Sequence, residues 1–158
     1  MFILLDIDGV MLPEPCEGIQ ILSDGFKAFD IDAAKNLSLL IEKTSASVIL
    51  SSNHRVSHSK EKWVTIFNNR GVDINQIEFI NDLPFEKMMD RATELRAWVD
   101  AHGNEASYVI IDDDHSLNTL PPDIQQRCVQ TNPLIGLTTD DAHKALGILL
   151  NNRDISAQ

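Results

Sequence analysis

The chain has 158 residues, 24 of them acidic and 13 basic, for a formal net charge of −11, with 43% hydrophobic and 23% charged side chains. That length and apolar content build one core and exclude a disordered chain. The acidity excludes a general affinity for nucleic acid or anionic membranes, which rests on Lys and Arg neutralising phosphates.

In chain order, Phe2–Leu5 is an apolar run cut by Asp6 and Asp8. It is too short for a signal-peptide core or a bilayer span and reads as a strand buried on both faces. Asp32 is a candidate N-cap for a helix carrying Ala33, Leu37, Leu40 and Ile41 at three- and four-residue steps. Val48–Leu50 is a second strand. A helix from about Ser59 to Asn69 follows, with Trp63, Ile66 and Phe67 on one face, stopping before Gly71. Ile77–Ile80 is a weaker strand. From about Phe85 to His102 the spacing predicts a helix with Met88, Leu95, Trp98 and Val99 toward a core, ended by Gly103. Tyr108–Ile111 is a strong strand and Arg127–Gln130 a weaker one. The last helix begins near Thr139, places Asp140 and Asp141 in its first turn where negative charge suits the helix dipole, and continues through Ala145, Leu146 and Leu149. Residues 151–158 read as a frayed tail, which leaves 1–150 as the domain. Strand alternating with helix implies right-handed βαβ units, hence a doubly wound α/β domain with a parallel sheet covered by helices on both faces.

No other run is long enough to span a bilayer. Cys16 and Cys128 lie far apart with no CxxC spacing. Neither a disulfide framework nor a structural zinc site is indicated, and the reducing cytoplasm is the expected compartment.

Ligands of open α/β sheets bind outside the carboxyl ends of the strands, so the residues that directly follow the apolar runs carry the chemistry. These are Asp6-Ile7-Asp8-Gly9-Val10, Ser51-Ser52-Asn53-His54-Arg55 and Asp112-Asp113-Asp114. Carboxylates gathered at one rim repel each other and lose hydration. A divalent cation compensates, and an all-oxygen set suits Mg²⁺.

Asp-x-Asp-Gly after the first strand, a small hydroxyl after the second and paired Asp after a later one resemble the haloacid dehalogenase (HAD) superfamily of aspartate-nucleophile phosphatases. The series LDIDGV, VILSSNHR, R-x-x-E-L-x-x-W-V, VIIDDD and GLT is similar to the compact HAD domains of Swiss-army-knife RNA repair proteins and their stand-alone relatives. His54 departs from that pattern, where the relatives usually have Trp. The resemblance implies Asp6 as nucleophile, forming an aspartyl-phosphate. Asp8 would be the acid and base on the leaving and attacking oxygens, its backbone carbonyl helping to hold Mg²⁺. Gly9 would allow a close turn beside the phosphate. Ser52, with Ser51 as the alternative, and the Asn53 backbone N–H would bind the phosphoryl group. Arg91, with Lys87 as the alternative, would neutralise it. Asp113 would ligate the metal directly with Asp6 and Asp8, and Asp112 would be a further ligand or an outer partner of the set. Asp114 and His115 would be loop residues. His54, Arg55 and Lys60 are one of the few places where basic residues gather, and His54 and Arg55 are candidates either to steer substrate phosphate or to cap the second crossover helix.

Larger superfamily members insert cap domains on either side of the second motif. Roughly 43 residues between Asp8 and Ser52, and roughly 38 between Ser52 and Arg91, are mostly taken up by core elements. The expected activity is therefore Mg²⁺-dependent hydrolysis of a phosphomonoester in an open site. The resemblance points to a phosphorylated nucleic-acid end, or another large phosphorylated partner, while the net charge opposes tight binding of a polyanion. A non-catalytic HAD-like module that binds metal or a partner is the alternative.

Overall fold

The structure, a computed structural model, describes residues 1–156, with side chains through Asn151. The apolar runs form five parallel strands, β1 (Phe2–Leu5), β2 (Ser47–Leu50), β3 (Ile77–Phe79), β4 (Tyr108–Asp112) and β5 (Cys128–Gln130). They are ordered β3-β2-β1-β4-β5. Leu5 is level with Leu50 on one side and with Ile111 on the other, so the central strands end together. The chain winds outward from β1 to β3, then crosses back to place β4 on the other side of β1. The strand order therefore reverses between β1 and β4, which opens a crevice at their carboxyl ends.

Successive side chains of a strand point to opposite faces, and both faces here are apolar. Ile3, Leu5, Val48, Leu50, Val109 and Ile111 join a core with Leu37, Trp63, Phe67 and Ala145. These come from helices α1 (Ile31–Thr44), α2 (Lys60–Asn68) and α5 (Thr139–Ser156). Leu4, Ile49 and Ile110 face the other way, onto Leu95, Trp98, Leu117 and Ile124. That layer contains α3 (Arg91–His102) and the short α4 (Pro122–Gln125).

Caps set the helix starts. Asp30, not the expected Asp32, caps α1 by accepting from Ala33 N at 3.0 Å, and Asp32 sits in the first turn instead. Ser59 caps α2. Thr138 and Asp141 bond reciprocally at the start of α5. The third helix is shorter than its spacing predicts. After the extended Pro84 the chain makes one 3-10 turn over Phe85–Lys87, becomes extended again at Met88, and enters α3 only after the Asp90 cap. Met88 consequently stands outside the helix and is half-buried. The same break makes Arg91 the first helical residue. Helix α5 is continuous through Ser156; the frayed tail expected over 151–158 falls in part on residues 157 and 158, which lie outside the described residues.

Among the described residues no inserted domain covers the crevice. Residues 6–30 form a loop held by short bridges, Asp8 with Leu12 and Ile21 with Lys27. Arg70 fixes that loop by donating to Asp24 at 2.6 and 2.9 Å and to the carbonyls of Phe26 and Lys27. No helix among the described residues is long and apolar enough to cross a membrane.

Candidate active site

The backbone ladder carries the site residues as extensions of the strands. Asp6 N donates to Ile111 O at 3.1 Å and Ser51 N to Leu5 O at 2.9 Å, so the β1 and β2 ends are fixed to the same frame as β4. One cleft of about 720 Å³ lies over these ends, and Asp6, Asp8, Ser52, Asn53, His54, Arg91 and Asp113 line it. Six of the residues expected at the site therefore meet a seventh, Arg91, that arrives from α3.

At the floor, Asp6, Asp112 and Asp113 each offer a carboxylate oxygen, all within 4.8 Å of one another. Arg91 Nη1 donates to Asp112 Oδ2 at 2.6 Å and lies 3.4 Å from Asp6 Oδ1. Burial disfavours the guanidinium charge, but Asp6 and Asp112 outweigh it and hold Arg91 protonated. One cation against three carboxylates leaves a deficit. Burial and the Asp6 charge push Asp112 well above the usual aspartate range and Asp113 up to about 6. A buried, all-oxygen, under-compensated cluster fits a hard divalent cation. Asp8 is not part of this cluster by its side chain; its carboxylate turns to the rim, where His54 Nε2 lies 2.9 Å from Oδ2. The hydrogen bond from His54 lowers the Asp8 pKa and correspondingly raises that of His54.

The members of the two open alternatives differ in position. Ser52 lines the cleft and its Oγ accepts from His54 N at 3.2 Å, whereas Ser51 is buried with its Oγ unpartnered. Arg91 reaches the carboxylates, whereas Lys87 is exposed and does not line the cleft. Gly9 has φ +79°, and a Cβ there would lie on the Asp113 carboxylate. Only glycine fits that turn.

Arg55 is a correction. Expected beside substrate phosphate, it is 0% exposed and points away from the cleft, pairing with Glu94 Oε2 at 2.7 Å. A guanidinium with no access to water takes a buried carboxylate partner before a ligand. The basic rim expected at 54–60 therefore does not form, since Lys60 is also engaged, with Glu78 and Asp82. Asp114 caps the 3-10 turn at 115–119 through Ser116 N, but Asp114 and His115 also line the cleft. Glu14, Val56, Ser57, Phe85 and Pro133 line it unforeseen. Thr131, directly after β5, accounts for a further contact by donating to Gly9 O at 2.8 Å. The rule that found Asp6 and Asp112 would have found it.

A family model for the HAD domain in Swiss Army Knife RNA repair proteins matches residues 2–142. The chain belongs to this family. A search of curated proteins found no match. Family membership agrees with the five-stranded parallel sheet that carries no cap, and supports hydrolase chemistry of the HAD phosphatase kind at the coarse level. HAD domains typically use Mg²⁺, and the acidic cluster of Asp6, Asp112 and Asp113 could hold a metal ion.

Proposed function

We propose that this HAD domain is a Mg²⁺-dependent phosphomonoester hydrolase that works through an aspartyl-phosphate on Asp6. The observation that carries this reading is the convergence of Asp6, Asp8, Ser52 and Arg91 on one cleft above the Asp112 and Asp113 carboxylates. Asp6, Asp112 and Asp113, with the Asp8 backbone carbonyl, would hold Mg²⁺, which supplies positive charge to the transferring phosphoryl oxygens.

Arg91 orients the Asp6 carboxylate and shares the phosphoryl charge, while the Ser52 hydroxyl and Asn53 N–H donate to its remaining oxygens. An Asp6 oxygen attacks phosphorus, the bond to the ester oxygen breaks, and Asp8 delivers the proton that this leaving oxygen takes up. Held low by His54, Asp8 is ionised in the empty cleft; the negative charge of an arriving phosphate raises its pKa and favours its protonated form. Asp8 then removes a proton from water, which attacks the aspartyl-phosphate, releases inorganic phosphate and returns Asp6.

The open cleft supports a substrate whose phosphate sits on a large body, and the family's place in RNA repair proteins supports a phosphorylated nucleic-acid end. Phe85, 67% exposed at the rim, offers a face on which a terminal base stacks, a contact worth about 1–3 kcal/mol.

The test is hydrolysis of an aryl phosphate with and without Mg²⁺, by the natural protein and by Asp6→Asn. Activity that needs both Mg²⁺ and Asp6 is expected; turnover retained in Asp6→Asn removes the nucleophile assignment. A 3′- or 5′-phosphorylated oligonucleotide is expected to exceed a mononucleotide in kcat/KM by at least about tenfold, or 1.4 kcal/mol. Phe85→Ala should narrow that gap. Equal efficiencies, or a strong preference for one small metabolite, overturn the large-substrate reading.

A further inference from the structure

The two groups proposed to grip the phosphoryl oxygens, Ser52 and Arg91, come from different elements, a loop after β2 and the first turn of α3. Beneath them lies an ion pair that the cleft does not reach. Arg55 Nη1 donates to the carbonyls of Ser51 at 3.1 Å and Ser52 at 3.2 Å. Its other terminal nitrogen, Nη2, donates to Glu94 Oε2 at 2.7 Å and to Asn81 Oδ1 at 3.3 Å. Asn81 Nδ2 donates to the same Glu94 oxygen at 3.0 Å. Trp63 Nε1 holds the Arg55 carbonyl at 3.2 Å, so the arginine is anchored at its backbone as well. Glu94 stands three residues beyond Arg91, on the same face of α3, one turn further along.

The network is poorly satisfied as a source of stability. Arg55 Nε, Glu94 Oε1 and Ser51 Oγ are buried and have no hydrogen-bond partner among the described residues. Buried polar atoms left without partners cost free energy, and a buried ion pair is commonly replaced by packed apolar side chains with no loss of stability or with a gain. What apolar side chains cannot reproduce is direction: the planar guanidinium binds two carbonyls of one element and a carboxylate of another at fixed angles.

We propose that the Arg55–Glu94 pair is a positioning device that locks the Ser52 loop to the first turn of α3, so that the Ser52 hydroxyl and the Arg91 guanidinium address one phosphoryl group at a fixed separation. Neither residue touches the substrate. This rests on the phosphatase reading, and it adds a role to two residues that lie outside the cleft. Misplacing one of two gripping groups leaves the phosphate bound but off the line of attack, so the loss falls on turnover before affinity.

The test is the double variant Arg55→Met with Glu94→Leu, measured in the full chain with an aryl phosphate and Mg²⁺. The expected result is a melting temperature lowered by only a few degrees, for the Ser51 carbonyl left without a donor, with kcat lower by at least about tenfold and KM within about threefold. Where the double variant does not fold, Arg55→Lys is decisive, because its one nitrogen keeps the charge but cannot occupy both the Nη1 position that holds the carbonyls and the Nη2 position that holds Glu94 and Asn81. Either folded variant with kcat within about twofold of the natural value overturns the proposal. Amide exchange separates its failure from failure of the phosphatase reading. At positions 54 and 55 exchange should quicken by at least about tenfold in the variant, while β1 stays protected. A natural protein inactive on every phosphate ester removes the phosphatase reading. Unchanged exchange at 54 and 55 removes the clamp whatever the activity.

Discussion

Removing the charge of Asp113 asks whether the acidic cluster holds repulsion that a cation relieves. Burial and the Asp6 charge push Asp113 up to about 6, against about 3.9 for a free aspartate. An acid raised in the folded state contributes its full stability below the unfolded pKa and loses it as pH climbs through the folded value, here between about pH 4 and 6. At 1.36 kcal/mol per pKa unit the loss is about 3 kcal/mol, and the water contact Asp113 retains brings it to about 2 kcal/mol. Asp112 is raised in the same direction, by burial and Asp6. His54, raised by its hydrogen bond to Asp8, also favours the lower pH. Asp8, lowered by His54, acts the other way, but its window lies below the ordinary aspartate pKa. About half of that loss falls between pH 5 and 7.5, so in EDTA the protein should melt at least about 2–4 °C higher near pH 5 than near pH 7.5. Relief of the −11 net charge adds to that trend, so Asp113→Asn isolates the site. It should be more stable than the natural protein in EDTA near pH 7.5 and have a flatter pH slope. Mg²⁺ at a hundred times its Kd should add about 2.7 kcal/mol to the natural protein. That gain should shrink toward pH 5, where the ligands protonate, and shrink in Asp113→Asn. Scanning calorimetry across pH, with and without Mg²⁺, measures all of this. An Asp113→Asn variant that melts below the natural protein in EDTA near pH 7.5, with an unchanged slope, refutes the reasoning.

Gly9→Ala should cost about 1–2 kcal/mol for its left-handed backbone alone, and the new methyl displaces the Asp113 carboxylate, so melting temperature and Mg²⁺ affinity should fall together; a natural Mg²⁺ titration in this variant contradicts the placement. Ser52→Ala should lower kcat/KM by about tenfold or more through loss of a phosphoryl donor. Ser51→Ala removes an already unpartnered buried hydroxyl and should leave both activity and stability within about 0.5 kcal/mol of natural. The opposite ranking of the two serines would exchange their roles.

The parts of this architecture legible in the sequence are those fixed by short-range physics. Phe2–Leu5, Val48–Leu50 and Tyr108–Ile111 are apolar on both faces because each lies between two helix layers, and that alone identifies them as central parallel strands. Once they are strands, Asp6, Ser52, Asp112 and Asp113 are at one rim by topology. Boundaries were harder where two cues competed. Met88 and Leu95 keep a seven-residue spacing that reads as one helix face, yet Pro84 and the Asp90 cap, whose side chain accepts from Thr93 N, break the segment before Arg91. The local cap outweighed the periodicity. Arg55 was not legible at all. Its partner Glu94 is 39 residues away, and no local pattern distinguishes an arginine that turns inward from one that faces a ligand.

The fate of the arginines reconciles the acidic composition with a phosphorylated substrate. Arg55 is claimed by Glu94, Arg70 by Asp24 and Arg91 by Asp6 and Asp112; of the three, Arg91 alone lines the cleft. Cations spread over a surface attract the whole length of a nucleic acid through release of its counterions. Of these three arginines, only Arg91 presents its charge to the cleft, over the carboxylate that would attack phosphorus, while the exposed Lys35, Lys43, Arg96 and Lys144 lie outside its lining. On the proposed reading, such a domain recognises a terminal phosphate and its adjoining base, and lacks the broad basic surface that would hold chain interiors. It would therefore engage chain ends in preference to chain interiors, a selectivity with which the −11 charge is compatible.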